Sequence, residues 1–106
     1  MTDASHIAIR DNPAKHRFEA DLGEGDLAIA EYYLRPGEIV FTHTEVPTAH
    51  KGKGIGSAVV RFALNAARER ELLVVPVCPF FGTYMKEHEE VQHLLAPEYR
   101  SKLGLG

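Results

Sequence analysis

The feature that most constrains this chain is a change of hydrophobic period across a run of glycines. Before it, apolar residues alternate with polar ones: Ile7 and Ile9, then Phe18, Ala20 and Leu22. After it, Ile55, Val59, Phe62, Ala63, Ala66 and Ala67 recur at helical spacing. Between the two patterns stands Lys51-Gly52-Lys53-Gly54-Ile55-Gly56-Ser57. The fold must therefore turn from strand to helix there, on a backbone with almost no side chains.

The alternating part predicts four strands, near Ile7–Ile9, Phe18–Leu22, Leu27–Leu34 and Glu38–Val46. Asp11-Asn12-Pro13, Leu22 to Asp26, and Arg35-Pro36-Gly37 carry the turn residues of short antiparallel connections. Beyond the glycines a helix runs to about Glu71, followed by the apolar run Leu72–Val77, of a length suited to a strand buried on both faces. Strand, helix, strand is a βαβ unit, and its strands lie parallel. A second helix is expected over Phe80–Leu95, then a tail, Ala96–Gly106, with little pattern and a mobile end at Gly104 and Gly106. The class is α/β (α+β), an antiparallel meander followed by a βαβ unit. With 106 residues the whole chain reads as one domain, its core about 6–95.

Charge and cysteine narrow the partners. A net charge of −3 argues against a surface built for nucleic-acid phosphates. One cysteine, Cys78, precludes an internal disulfide, and the acidic opening, with Asp3, Asp11 and Glu19, lacks the apolar run of a signal peptide. No stretch is apolar enough for a membrane span. A cytoplasmic protein is the expectation. His88 and His93 stand five apart, wrong for two ligands on one helical face, so no metal is expected.

The glycine loop suits an anion. Glycine lets a ligand approach the main chain, and a helix start offers unpaired N–H groups at the positive end of its dipole. From Val46 to Arg68 the chain carries Lys51, Lys53, Arg61 and Arg68 and no acid, which leaves −7 on the remainder. The spacing fits neither the Walker loop nor the Gly-x-Gly-x-x-Gly dinucleotide fingerprint. The same glycines would also serve a tight strand-to-helix turn that binds nothing.

Lys51-x-x-Gly54-x-Gly56 resembles the Arg/Gln-x-x-Gly-x-Gly/Ala pyrophosphate loop of the GCN5-related N-acetyltransferases (GNAT). Adding His43 to Pro47, Cys78-Pro79-Phe80, Tyr84 and His88 narrows the resemblance to the branch of about 100 residues within that superfamily, over about Ile7 to Leu95. It implies a truncated GNAT acyl-CoA N-acyltransferase fold whose fourth and fifth strands splay apart. It also implies acetyl-CoA as cofactor, its pyrophosphate on the amides of Lys51, Gly52, Lys53, Gly54, Ile55, Gly56 and Ser57. The pantetheine arm would run along Glu45 and Val46, with Phe80 beside it. Lys51 replaces the usual Arg or Gln, Glu89 follows His88 where Pro is common, and the chain ends where larger members add two acceptor-side strands.

The resemblance further implies Cys78 and His43 as the active pair. By alternation Ile39, Phe41, His43 and Glu45 share one face of the fourth strand. Cys78 would take the acetyl group as a thiolate activated by His43. The rival is direct attack by an unidentified amine acceptor, with His43 or Glu45 removing its proton and Tyr84 protonating the leaving thiolate. Each residue has a structural alternative: Cys78 a small buried hydrophobe, His43 a hydrogen-bonded sheet residue, Tyr84 a core aromatic. A coenzyme A or acyl-CoA binding module without turnover is the other functional reading, and an interaction domain whose loop merely turns a third.

Overall fold

The computed structural model describes residues 7–105; His6 and Gly106 lie outside it. Four strands form the meander: β1 (Ile9–Asn12), β2 (Arg17–Asp21), β3 (Leu27–Arg35) and β4 (Glu38–Glu45). Helix α1 (Ile55–Glu69), strand β5 (Leu73–Pro76), helix α2 (Pro79–Glu87) and helix α3 (Pro97–Lys102) follow. The sheet runs in chain order, β1-β2-β3-β4-β5, with the first three pairings antiparallel and β4–β5 parallel. The meander and the βαβ unit stand as the sequence predicts.

One face of the sheet carries the main core. Ala20, Ala28 and Ala30 keep β2 and β3 low, so α1 seats Val59, Val60, Ala63, Leu64 and Ala67 directly on them, all fully buried. Beside it α2 brings Phe81 flat against Phe41, ring centroids 4.0 Å apart and 10° between planes. The opposite face is covered at β4 and β5, where Val40, Val75 and Ala96 pack with Tyr99 of α3. Toward β1 that face holds Glu19, only 2% exposed. Its carboxylate accepts from Arg10, Asn12 and Arg17. The Arg17 bond, the largest cause, outweighs burial and holds the carboxyl below its ordinary range.

Three expectations change. Asp11 and Asn12 belong to β1, and the turn is made by Pro13–Lys15, with His16 in the left-handed region at φ 54°. The helix expected over Phe80–Leu95 stops at Glu87, and a separate 3₁₀ stretch covers Glu89–Leu94. Side chains end it: His88 Nδ1 donates to the Tyr84 carbonyl at 2.7 Å, and Gln92 donates to those of Met85 and Lys86. These carbonyls would otherwise accept from the next helical turn. The tail, finally, is a packed element. Leu95 bridges Val74, the Ala96 N–H donates to the Val74 carbonyl at 2.9 Å, and Leu103 lies against Gly82. Helix α3 is too short to show a period in sequence, which is why the segment reads as patternless.

Candidate functional site

The site begins where the parallel strands part. Pairing of β4 with β5 ends at Phe41 and Pro76, and the Cys78 N–H donates to the Phe41 carbonyl at 2.9 Å as the last tie. The chain then turns into α2 at Pro79, while β4 continues through Thr42 to Glu45 against β3 alone. A gap opens along that edge of β4.

The glycine loop forms the far wall of the gap. Gly52 and Gly54 adopt φ of 81° and 75°, and Gly54 is the N-cap of α1, with no side chain capping the helix. Lys51 N–H is used by the Thr48 carbonyl at 3.2 Å, but among the described residues no hydrogen bond outside the helix engages the amides of residues 52–57. The first amides of a helix have no partner within it. Two lysines, Lys51 and Lys53, stand exposed beside this positive helix end, an arrangement that opposes helix stability and favours an anion.

A cavity of about 390 Å³ opens onto this wall, lined by Thr44, Val46 and His50, by Lys51, Gly52 and Gly54 to Ser57, and by Phe80. A second, of about 350 Å³, is lined by Ser57, Pro79, Phe80, Thr83, Tyr84, Glu87 and His88. Ser57 and Phe80 border both. Phe80 is 43% exposed and lies on Gly56, where an added Cβ would come within 2.6 Å of its ring. Glycine at 56 therefore sets the position of the ring between the two cavities.

The expected chemical residues fall in two places. Cys78 is 5% exposed at the N-terminal end of α2, and its sulfur lies 3.4 Å from the Thr44 hydroxyl. His43 is on the other face. Opposite residues of antiparallel strands share a face, and the pairing runs Ala30↔Thr44 and Glu31↔His43, then Tyr32↔Phe41. Thr42 is an extra residue, a β-bulge whose hydroxyl donates to the Glu31 carbonyl at 3.4 Å. Alternation therefore does not hold through the strand. Thr44 joins Phe41 toward the helices, while His43 and Glu45 turn to the open face, exposed and 3.4 Å apart (Nε2 to Oε2). The structure brings Cys78 to Thr44 and His43 to Glu45, and does not bring His43 to Cys78.

Tyr84 lines the second cavity, its ring stacked on that of His88 with centroids 3.9 Å apart. His43, Glu45, Lys53 and Cys78 line neither of these two cavities. Thr44, His50, Thr83, Glu87 and His88 do, and sequence reading did not single them out as lining residues. A helical-spacing count from Tyr84 would have found Glu87 and His88; the others depend on partners distant in sequence. Among the described residues no group of three or more His, Cys, Asp or Glu side chains is arranged for a metal, and no helix is long and apolar enough to cross a membrane.

A five-strand mixed sheet whose last two strands part beside a glycine-rich helix start is the architecture of a compact GCN5-related N-acetyltransferase. The sequence model of that family, described as GCN5-related N-acetyl-transferase, matches residues 17–94, and the chain belongs to the family. Among individual proteins it is similar to Protein NATD1 of Xenopus tropicalis, 29% identical over 96 residues that cover 89% of this chain and 88% of the relative. Protein NATD1 of Mus musculus is 30% identical over 90 residues, 83% of this chain and 82% of the relative. Protein NATD1 of Homo sapiens is 30% identical over 90 residues, 83% and 80% respectively.

Proposed function

We propose that this chain binds acetyl-CoA and transfers its acetyl group to an amine. The observation that carries this reading is the row of uncapped amides from Gly52 to Ser57, opening into a cavity at the point where β4 and β5 part. The residues present fit the cofactor. Main-chain N–H groups and the positive end of α1 suit the diphosphate, with Lys51 and Lys53 adding charge. The unpaired edge of β4 up to Glu45 and Val46 suits an amide-bearing arm, with Phe80 as an apolar wall. Bound there, acetyl-CoA supplies an acetyl group activated as a thioester.

The chain's own residues then divide the work. His43, paired with Glu45 on the open face, takes the proton of the incoming amine as general base, directly or through water. Tyr84, which lines the second cavity, is the proton donor for the departing thiolate. Direct attack is favoured over a Cys78 relay by one observation: the Cys78 sulfur meets the Thr44 hydroxyl at 3.4 Å, while His43 stands on the opposite face of the sheet. In the relay, the Cys78 sulfur would bond the acetyl carbon as the coenzyme thiolate leaves, and the amine would then displace the sulfur.

Calorimetric titration with acetyl-CoA tests the binding, and an absence of heat well above micromolar protein removes the reading. Mass spectrometry of the mixed protein should show Cys78 without an added acetyl group; an acetylated Cys78 establishes the relay. Consumption of thioester with a panel of amines should fall on His43→Ala. Binding without consumption by any amine identifies a coenzyme-binding module instead.

A further inference from the structure

We propose that His50 is a positioning residue of the anion-binding loop, held in place by Asp26, a role that rests on the acetyl-CoA reading above. The loop from Pro47 to Gly54 crosses from β4 to α1 with little to hold it. Thr48, Ala49 and residues 51–54 are exposed, and no atom lies within 4 Å of where a side chain would begin at Gly52 or Gly54. Among the described residues, one side-chain hydrogen bond ties this loop to the rest of the protein: His50 Nε2 donates to Asp26 Oδ2 at 3.0 Å.

The anchor at the other end of that bond is firm. Asp26 closes the β2–β3 turn, its N–H donating to the Gly23 carbonyl and its own carbonyl accepting from Leu22 N–H, each at 3.0 Å. His50 is half-buried and lines the first cavity; Asp26 does not. A binding site made of main-chain amides has no chemistry beyond the shape of its backbone, so its affinity depends on that shape existing before the ligand arrives. The His50–Asp26 bond supplies that order in the free protein. It transmits to the coenzyme site the position of a turn that never touches it.

The test is the affinity for acetyl-CoA of the wild type and of Asp26→Ala, His50→Ala, the double variant and His50→Gln. Asp26→Ala and His50→Ala should each bind about fivefold more weakly, the worth of one ordinary hydrogen bond between partly exposed groups. The double variant should bind no more weakly than either, and His50→Gln, whose amide nitrogen can donate to the same carboxylate, should stay near wild type. Wild-type affinity in Asp26→Ala, or losses that add in the double variant, would overturn the proposal. Hydrogen exchange on the free proteins reads the tie without coenzyme. The amides of His50 and Lys51, which donate to the Pro47 and Thr48 carbonyls, should exchange faster in Asp26→Ala while those of β3 do not change, and equal exchange refutes the tie. A wild type that takes up no acetyl-CoA, yet shows the exchange difference, removes the coenzyme reading and the role while leaving the tie itself established.

Discussion

The two ends of α1 are built on opposite plans. At its C-terminal end the backbone folds back on the helix carbonyls. The N–H groups of Arg70, Glu71 and Leu72 return to the carbonyls of Ala66, Arg68 and Ala67. The Arg70 guanidinium donates to Asp11 at 2.8 Å, and the other oxygen of Asp11 accepts from the Tyr32 hydroxyl at 2.7 Å. This cluster fastens the helix to β1 and β3. At its N-terminal end there is no side-chain cap and no acid in the first turn, and two glycines precede it in the left-handed region. A capping Ser, Thr, Asp or Asn would gain only about a few tenths of a kcal/mol over glycine, and the φ of 75° at Gly54 opposes any side chain there. One helix thus has hydrogen-bonded carbonyls and a side-chain anchor where it is fastened to the sheet, and open donors at the end where the proposed anion would be held.

The largest effect that would break this contrast is expected at Gly54. Valine there must adopt φ near 75°, which a β-branched residue resists, and the loop must move. Acetyl-CoA affinity in Gly54→Val should fall by roughly a hundredfold, corresponding to the upper part of the ~1–3 kcal/mol such strain can cost. Thermal unfolding should shift by only a few degrees. An unchanged dissociation constant would place the anion elsewhere.

The C-terminal end should answer with stability and not with binding. Tyr32→Phe removes the hydroxyl that donates to Asp11 and should cost about 1.5 kcal/mol by urea denaturation, with acetyl-CoA affinity unchanged. Its pH dependence sharpens the test. Burial, the larger cause, and the Asp11 carboxylate raise the Tyr32 pKa from 10.0 to about 12. The unfolded chain loses this proton before the folded one does, so the stabilisation is whole below pH 10 and is lost as pH rises toward 12. The wild-type advantage over Tyr32→Phe should vanish across that window; a constant difference would show that the phenol is not held as described.

The smallest effect is expected at Glu71, which turns the chain out of α1 at φ 57°. Glycine adopts that conformation without strain. Glu71→Gly should stabilise the protein by about 0.5–1 kcal/mol in denaturant titrations, again with no change in coenzyme affinity. A loss of stability would mean that the Glu71 side chain contributes more than its backbone costs.

Much of this was legible before the fold. The alternation through Phe18–Ala20 and Ala28–Ala30, the helical spacing from Ile55 and the glycines between them are local patterns. Secondary structure follows local patterns because backbone sterics and burial on one face act residue by residue. The family resemblance carried by Lys51-x-x-Gly54-x-Gly56 and by Cys78-Pro79-Phe80 is likewise a matter of spacing, and the family match covers those positions. The α3 tail is the counterexample: six residues, with none fully buried, give periodicity nothing to register.

What sequence determined by itself, then, was the order of the strands, the helix that follows the glycines and the loop proposed to hold an anion. Tertiary structure decided which side chains meet. A single added residue at Thr42 sends His43 and Glu45 to one face and Thr44 to Cys78 on the other, and a turn 24 residues upstream supplies the partner of His50. Both depend on how strands register against one another. Register is set by the summed fit of a whole sheet and its helices, so no short stretch of sequence contains it.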